Sequence, residues 1–246
     1  MKILVVCPVL TLQYAWFRSF LRFWEEIKLK KERMYGLYMP YRKSPALADN
    51  KAVEIAQAEK YDYILRIDDD VWDIPHFALE QLLDADKEYI SATAFASGFP
   101  FQKCALVRIN PNDTLISVTK KEGIDKLREV DEDGIQPCDL TSFSFVLWKM
   151  SLFEGLTKPY FELNDTPPHD SLFCQKLLDA GKQPYVHGGV KVTHRGISDA
   201  NRAYLYASEM PYRVNCGEVS FVDERGVHLK YLDDNVGYES SELIIG

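Results

Sequence analysis

The chain has 246 residues, 46% hydrophobic and 27% charged, a balance that suits one globular domain with a buried core and excludes wholesale disorder. Its formal net charge of −8 argues against a protein whose main business is gripping nucleic acid, because phosphate binding needs a basic surface. The five cysteines, Cys7, Cys104, Cys138, Cys174 and Cys216, are scattered and form no Cys-x-x-Cys pair. Reduced thiols in a cytoplasmic compartment are expected rather than a disulfide frame or a zinc site.

The chain opens on "MKILVVCPVLTL", a lysine followed by an apolar run. It lacks a small-residue cleavage site, so residues 3–7 are read as a first buried strand and not as a signal peptide. Trp16, Phe20, Phe23, Trp24 and Ile27 then fall on one face of a helix. Its basic tail, Lys28, Lys30, Lys31 and Arg33, leaves peripheral membrane contact open, but core packing is the commoner fate of such a stripe. No run of about 18 apolar residues follows anywhere, so no membrane span is expected.

Residues 33–40 read as a second strand, and "YRKSPALADNKAVEIAQAEK" becomes helical in its Ala- and Glu-rich half. Tyr63–Ile67 is a continuous apolar run, as in a parallel strand covered on both faces. Asp73 is expected to cap a further helix, with Pro75 in its first turn and Leu79, Leu82 and Leu83 facing inward. Residues 88–95 form the next strand. The stretch 98–137 is irregular, 142–156 returns to core character, 171–181 reads as a short helix ending at Gly181, and 190–194 as a final short strand. Beyond residue 197 the chain is polar and aromatic without a period. Alternating strands and helices make the fold class α/β.

The strand Tyr63–Ile67 ends abruptly in Asp68, Asp69 and Asp70, three like charges against an apolar edge. Ligands in open α/β sheets bind outside the carboxyl ends of the strands. If the chain stays extended there, side chains 68 and 70 share a face and 69 points away. Two converging carboxylates make a seat for a hard divalent cation, which would remove the repulsion. The plain alternative is a solvated acidic turn.

A buried strand ending in Asp-x-Asp resembles the metal-binding motif of GT-A fold glycosyltransferases, which transfer sugars from nucleotide donors. Downstream, "LTSFSFVLWKMSLFEGLTKPYFE" is similar to the acceptor-side segment of the large inverting family (family 2) of that fold. "PPHDSLFCQKLLDAGKQPYVHGGVKVTHRG" resembles that family's acidic segment, helix, strand and histidine. The resemblance spans about residues 1–196 in one consistent order and implies a GT-A, Rossmann-like, mostly parallel sheet flanked by helices, with 197–246 as a C-terminal extension packed on the core.

By this resemblance Asp68, Asp70 and His194 hold Mn²⁺ or Mg²⁺, and Asp170 takes the proton from the acceptor hydroxyl. Asp170 also stands where the N-cap of its helix belongs. Pro8 matches the turn on which the nucleotide base rests, Arg42 a phosphate contact, and Asn50 a base or ribose contact, with Asp68 and Asp69 also on the donor side. For Arg42 and Asn50 the alternatives are a surface arginine and a helix-start asparagine. The sequence departs from the family at His169, where glutamate is usual, and at Ser144, where glycine is common. The implied partners are a nucleotide-sugar donor and a hydroxyl-bearing saccharide, glycolipid or protein. Two alternatives stay open: a non-catalytic carbohydrate- or nucleotide-binding protein on the same scaffold, and transfer to modified nucleic-acid bases. G-x-G-x-x-G and G-x-x-x-x-G-K-[ST] are both missing, which sets aside dinucleotide and P-loop enzymes.

Overall fold

The computed structural model describes residues 1–9, 14–41, 43–96, 105–118, 125–130, 133–162 and 169–194, and the tail segments 219–222, 228–231 and 242–245. The first half alternates as expected: β1 (Lys2–Val6), α1 (Tyr14–Lys28), β2 (Met34–Pro40), α2 (Pro45–Glu59) and β3 (Tyr63–Ile67). β1 pairs in parallel with β2 on one side and β3 on the other. The aromatic stripe of α1 is core. Trp16, Phe20, Phe23 and Ile27 are buried, Trp16 stacks on Phe20, and Phe23 meets Phe145 edge-on at 5.7 Å. In α2 the missing N–H of Pro45 costs nothing in the first turn, and Lys60, in the left-handed region at φ 58, ends the helix.

After the aspartates the structure departs from the sequence reading. A short strand, β4 (Val71–Trp72), intervenes, and α3 (Ala78–Asp84) begins five residues after Asp73 rather than at it. Asp73 is not a cap: its backbone is left-handed at φ 53. The cause is tertiary, since Val71 and Trp72 find backbone partners on a later strand before the chain can coil. Leu79 and Leu82 are buried as expected, with Leu83 half-buried beside them.

The chain continues through β5 (Tyr89–Ala96), β6 (Ala105–Arg108), α4 (Leu115–Val118), β7 (Leu127–Glu129), β8 (Ile135–Pro137), β9 (Leu140–Thr141), β10 (Phe145–Lys149), α5 (His169–Asp179) and β11 (Tyr185–His194). The irregular middle therefore holds short elements, β6, β7 and β9 forming a small antiparallel sheet of their own. β11 is ten residues long, twice the expected stretch, and its register against β5 shifts between His187 and Lys191. That bulge breaks the alternation on which a sequence reading of the strand depends.

With β14 (Glu242–Ile245) antiparallel to β2 at the edge, the main sheet runs β14-β2-β1-β3-β10-β5-β11-β4, and β8 lies beside β11. β10 lies antiparallel to both β3 and β5, so β3 is parallel to its neighbour on one side only. One face packs on α2 and α5, the other on α1 and α3. This mixed sheet with helices on both faces is the α/β class read from the alternation of strands and helices. In the tail, β12 (Val219–Val222) and β13 (His228–Tyr231) form a hairpin, so strands follow the one read as final. Among the described residues no helix is long and apolar enough to cross a membrane.

Gly36 in β2 shows how closely the first layer is packed. A Cβ there would overlap the Tyr61 hydroxyl oxygen and sit 2.8 Å from its Cζ. Gly36→Ala is expected to destabilise the protein by about 1–3 kcal/mol, read as a lower thermal midpoint, with Tyr61→Phe in the same chain restoring part of the loss.

Candidate active site

β3 delivers Asp68 to the carboxyl edge of the sheet. Its N–H donates to the Ser144 carbonyl at 2.9 Å, and the Val71 N–H reaches back to the Asp68 carbonyl at 3.4 Å. Residues 68–70 therefore turn instead of running extended, and the turn rather than strand alternation brings the side chains together. One oxygen each of Asp68 and Asp70 and one ring nitrogen of His194 lie within 4.8 Å of one another. His194 Nε2 is 3.1 Å from Asp70 Oδ1 and 3.8 Å from Asp68 Oδ2. The pairing of β11 with β4, His194 opposite Val71, sets this approach. Asp69 and Asp70 are both buried.

Behind Asp68 lies Arg66, 1% exposed. Its Nη1 is 2.6 Å from Asp68 Oδ1 and donates to the Phe143 carbonyl at 2.6 Å, while Nε faces Asp49 Oδ1 at 3.4 Å. Burial would raise the Asp68 carboxyl, but Arg66, helped by His194, holds it below its ordinary value. Arg66 remains a cation, since Asp68 and Asp49 outweigh the burial that would lower its basicity.

α5 begins at His169, so Asp170 is the second residue of the helix and not its N-cap. Its Oδ1 accepts from the Ser171 N–H at 2.7 Å and the Ser171 hydroxyl at 3.4 Å. Burial pushes the half-buried carboxyl up, and the charge of Asp68 adds to this; His169, the Ser171 N–H and Arg66 act against it. His169 sets its Nε2 3.6 Å from Asp49 Oδ2 and its ring edge-on to Phe143 at 5.2 Å.

The expected donor residues are less united. Pro8 is buried at the end of β1, between a Cys7 N–H that donates to the Tyr38 carbonyl and a Val9 N–H that donates to the Pro40 carbonyl. Asn50 is a staple: its amide donates to the Ala46 and Phe161 carbonyls and accepts from the Tyr160 and Phe161 N–H groups. Arg42 lies outside the described residues.

Two carboxylates and an imidazole form an oxygen-rich donor set with one nitrogen, which fits Mn²⁺ well and Mg²⁺ acceptably. No protein-family model matches the chain, and no curated protein sequence does. Among solved structures, the crystal structure of A197 from STIV is similar in fold, with a TM-score of 0.52 and 16% identity over 79% of this chain and 85% of that one. A structure of GalNAc-T7 with UDP, GalNAc and Mn²⁺ overlies 84% of this chain and 47% of its own, at 9% identity and a TM-score of 0.48.

Asp49 and Arg66 went unnoticed in the sequence, although a signal was present. Arg66 interrupts an apolar strand, and Asp49 interrupts the apolar face that Ala46, Ala52, Val53 and Ala56 give to α2. Opposite charges intruding on two buried faces need each other. If Asp68, Asp70 and His194 form a cation seat, Asp70→Ala is expected to weaken Mn²⁺ binding about a hundredfold in calorimetry without lowering the thermal midpoint of the metal-free protein.

Proposed function

We propose that the protein is a glycosyltransferase that moves a sugar from a nucleoside-diphosphate donor to an acceptor hydroxyl, with a divalent cation and with inversion at the anomeric carbon. The observation that carries the reading is the convergence of Asp68, Asp70 and His194 at the carboxyl edge of the sheet, with Asp170 at the start of α5 within electrostatic reach of Asp68 and Arg66. The resemblance of the segments around these residues to inverting GT-A enzymes points the same way.

Asp68, Asp70 and His194 would hold the cation, whose chemistry is to offset the negative charge growing on the departing diphosphate. The remaining work falls to the chain. Arg66 keeps Asp68 ionised and fixes one of its oxygens. Asp170 accepts the proton of the acceptor hydroxyl as that oxygen bonds to the sugar, and the carbon–oxygen bond to the diphosphate breaks on the opposite side. The Ser171 N–H orients the carboxylate, and the first turn of α5 favours its negative form. A hydroxyl oxygen of a saccharide, glycolipid or protein would serve equally in this step. His169, in place of a carboxylate, spends its ring on Asp49 and Phe143.

Calorimetry against a panel of nucleoside diphosphates should find one that binds only with Mn²⁺ present, and the matching sugar nucleotide should then turn over. Asp170→Asn should retain that binding and lose turnover by about a hundredfold or more. Metal-dependent binding with no turnover in the unaltered protein would favour a binding protein on this scaffold. A product with the donor's own anomeric configuration would overturn the single displacement.

The pH profile supplies a separate check. Asp170 must be ionised to act, and its carboxyl is held above the ordinary value, near 3.9 for a free aspartate. Activity should therefore fall as pH drops through a value above that figure, and the residual activity of Asp170→Asn should lack this limb.

A further inference from the structure

Asp49 takes no direct part in the chemistry above, yet it is 0% exposed and its two oxygens look in different directions. Oδ1 faces Arg66 Nε at 3.4 Å; Oδ2 faces His169 Nε2 at 3.6 Å. Through Arg66 the first contact continues to Asp68, whose Oδ1 is engaged at 2.6 Å. That leaves Asp68 Oδ2, the oxygen 3.8 Å from His194, as the one turned toward the candidate cation site. The second contact ends on the residue next to Asp170. Phe143 fills the space between the two arms, its ring 5.6 Å from the Arg66 guanidinium and edge-on to His169.

We propose that Asp49 is a positioning residue: its buried negative charge, acting through Arg66, holds Asp68 in the orientation that presents Oδ2 to the cation. The inference rests on the reading of Asp68, Asp70 and His194 as a cation site. Without the Asp49 charge, Arg66 keeps Asp68 as its carboxylate partner in this network, draws more strongly on it, and subtracts from the negative potential that attracts a cation. A pair that only stabilised the fold would affect unfolding and leave cation affinity alone.

The test is Mn²⁺ calorimetry on the full chain without nucleotide, paired with thermal unfolding. Asp49→Asn keeps the shape and removes the charge; about tenfold weaker Mn²⁺ binding is expected at a temperature where both proteins are folded, in line with the effect of groups that orient metal ligands. A lowered midpoint with unchanged Mn²⁺ affinity would overturn the proposal. Should Asp49→Asn fail to fold, Arg66→Lys keeps the positive charge but loses the fork that spans Asp49, Asp68 and the Phe143 carbonyl. It too should bind Mn²⁺ about tenfold more weakly, and equal affinity would again overturn the proposal. An unaltered protein that takes up no Mn²⁺ would overturn this inference together with the cation site; one that binds while the variants bind equally well would overturn this inference alone.

Discussion

Arg66 puts a full positive charge into a strand whose neighbours in sequence are Ile64, Leu65 and Ile67, all without solvent contact. An unpaired guanidinium there would cost several kcal/mol, even after the surroundings relaxed. The fold answers with a carboxylate from α2, a carboxylate from the turn after β3 and a carbonyl from the segment before β10. α2 and the segment before β10, both distant in sequence from β3, are thereby fixed with the adjoining turn to one planar group. Its geometry passes directly to the edge of the sheet, because one of those partners is Asp68.

The turn at 68–70 would otherwise be an unfavourable place for three aspartates. The reversed direction of β10 brings the Ser144 carbonyl to the Asp68 N–H, which pins the start of the turn. The far end is pinned by β4, whose pairing with the end of β11 carries His194 to Asp70. Backbone pairing thus sets where the acidic side chains go, and Arg66 and His194 hold the Asp68 charge in place. The same arrangement presents a concentrated negative region at the sheet edge of a protein already carrying a net −8, which favours a cation there.

What the sequence revealed followed from periodicity. The stripe on α1 and the apolar run of β3 were legible because each is a regular pattern in one element. β11 was half missed because its bulge interrupts the alternation, and the start of α3 was misplaced because β4 forms through a partner more than a hundred residues away. The tail gave no period, and β14 joins the sheet by backbone pairing with β2, which leaves no mark on side-chain pattern. Within the site, the order of motifs grouped Asp68, Asp70 and His194, but the extended geometry assumed for them was wrong in detail. Asp49 hid inside an Ala-rich helix, where one buried acid reads as an exposed one until its partner is known.

The proposed chemistry turns on one point in space, the place shared by Asp68, Asp70 and His194. The most direct measurement is a crystal structure of the protein with Mn²⁺ and the nucleoside diphosphate it binds, using anomalous scattering at the manganese edge. A single strong peak is expected within about 2.0–2.4 Å of Asp68 Oδ2, Asp70 Oδ1 and His194 Nε2, with diphosphate oxygens completing the shell. A peak elsewhere on the molecule, or none at that point with the nucleotide bound, would contradict it.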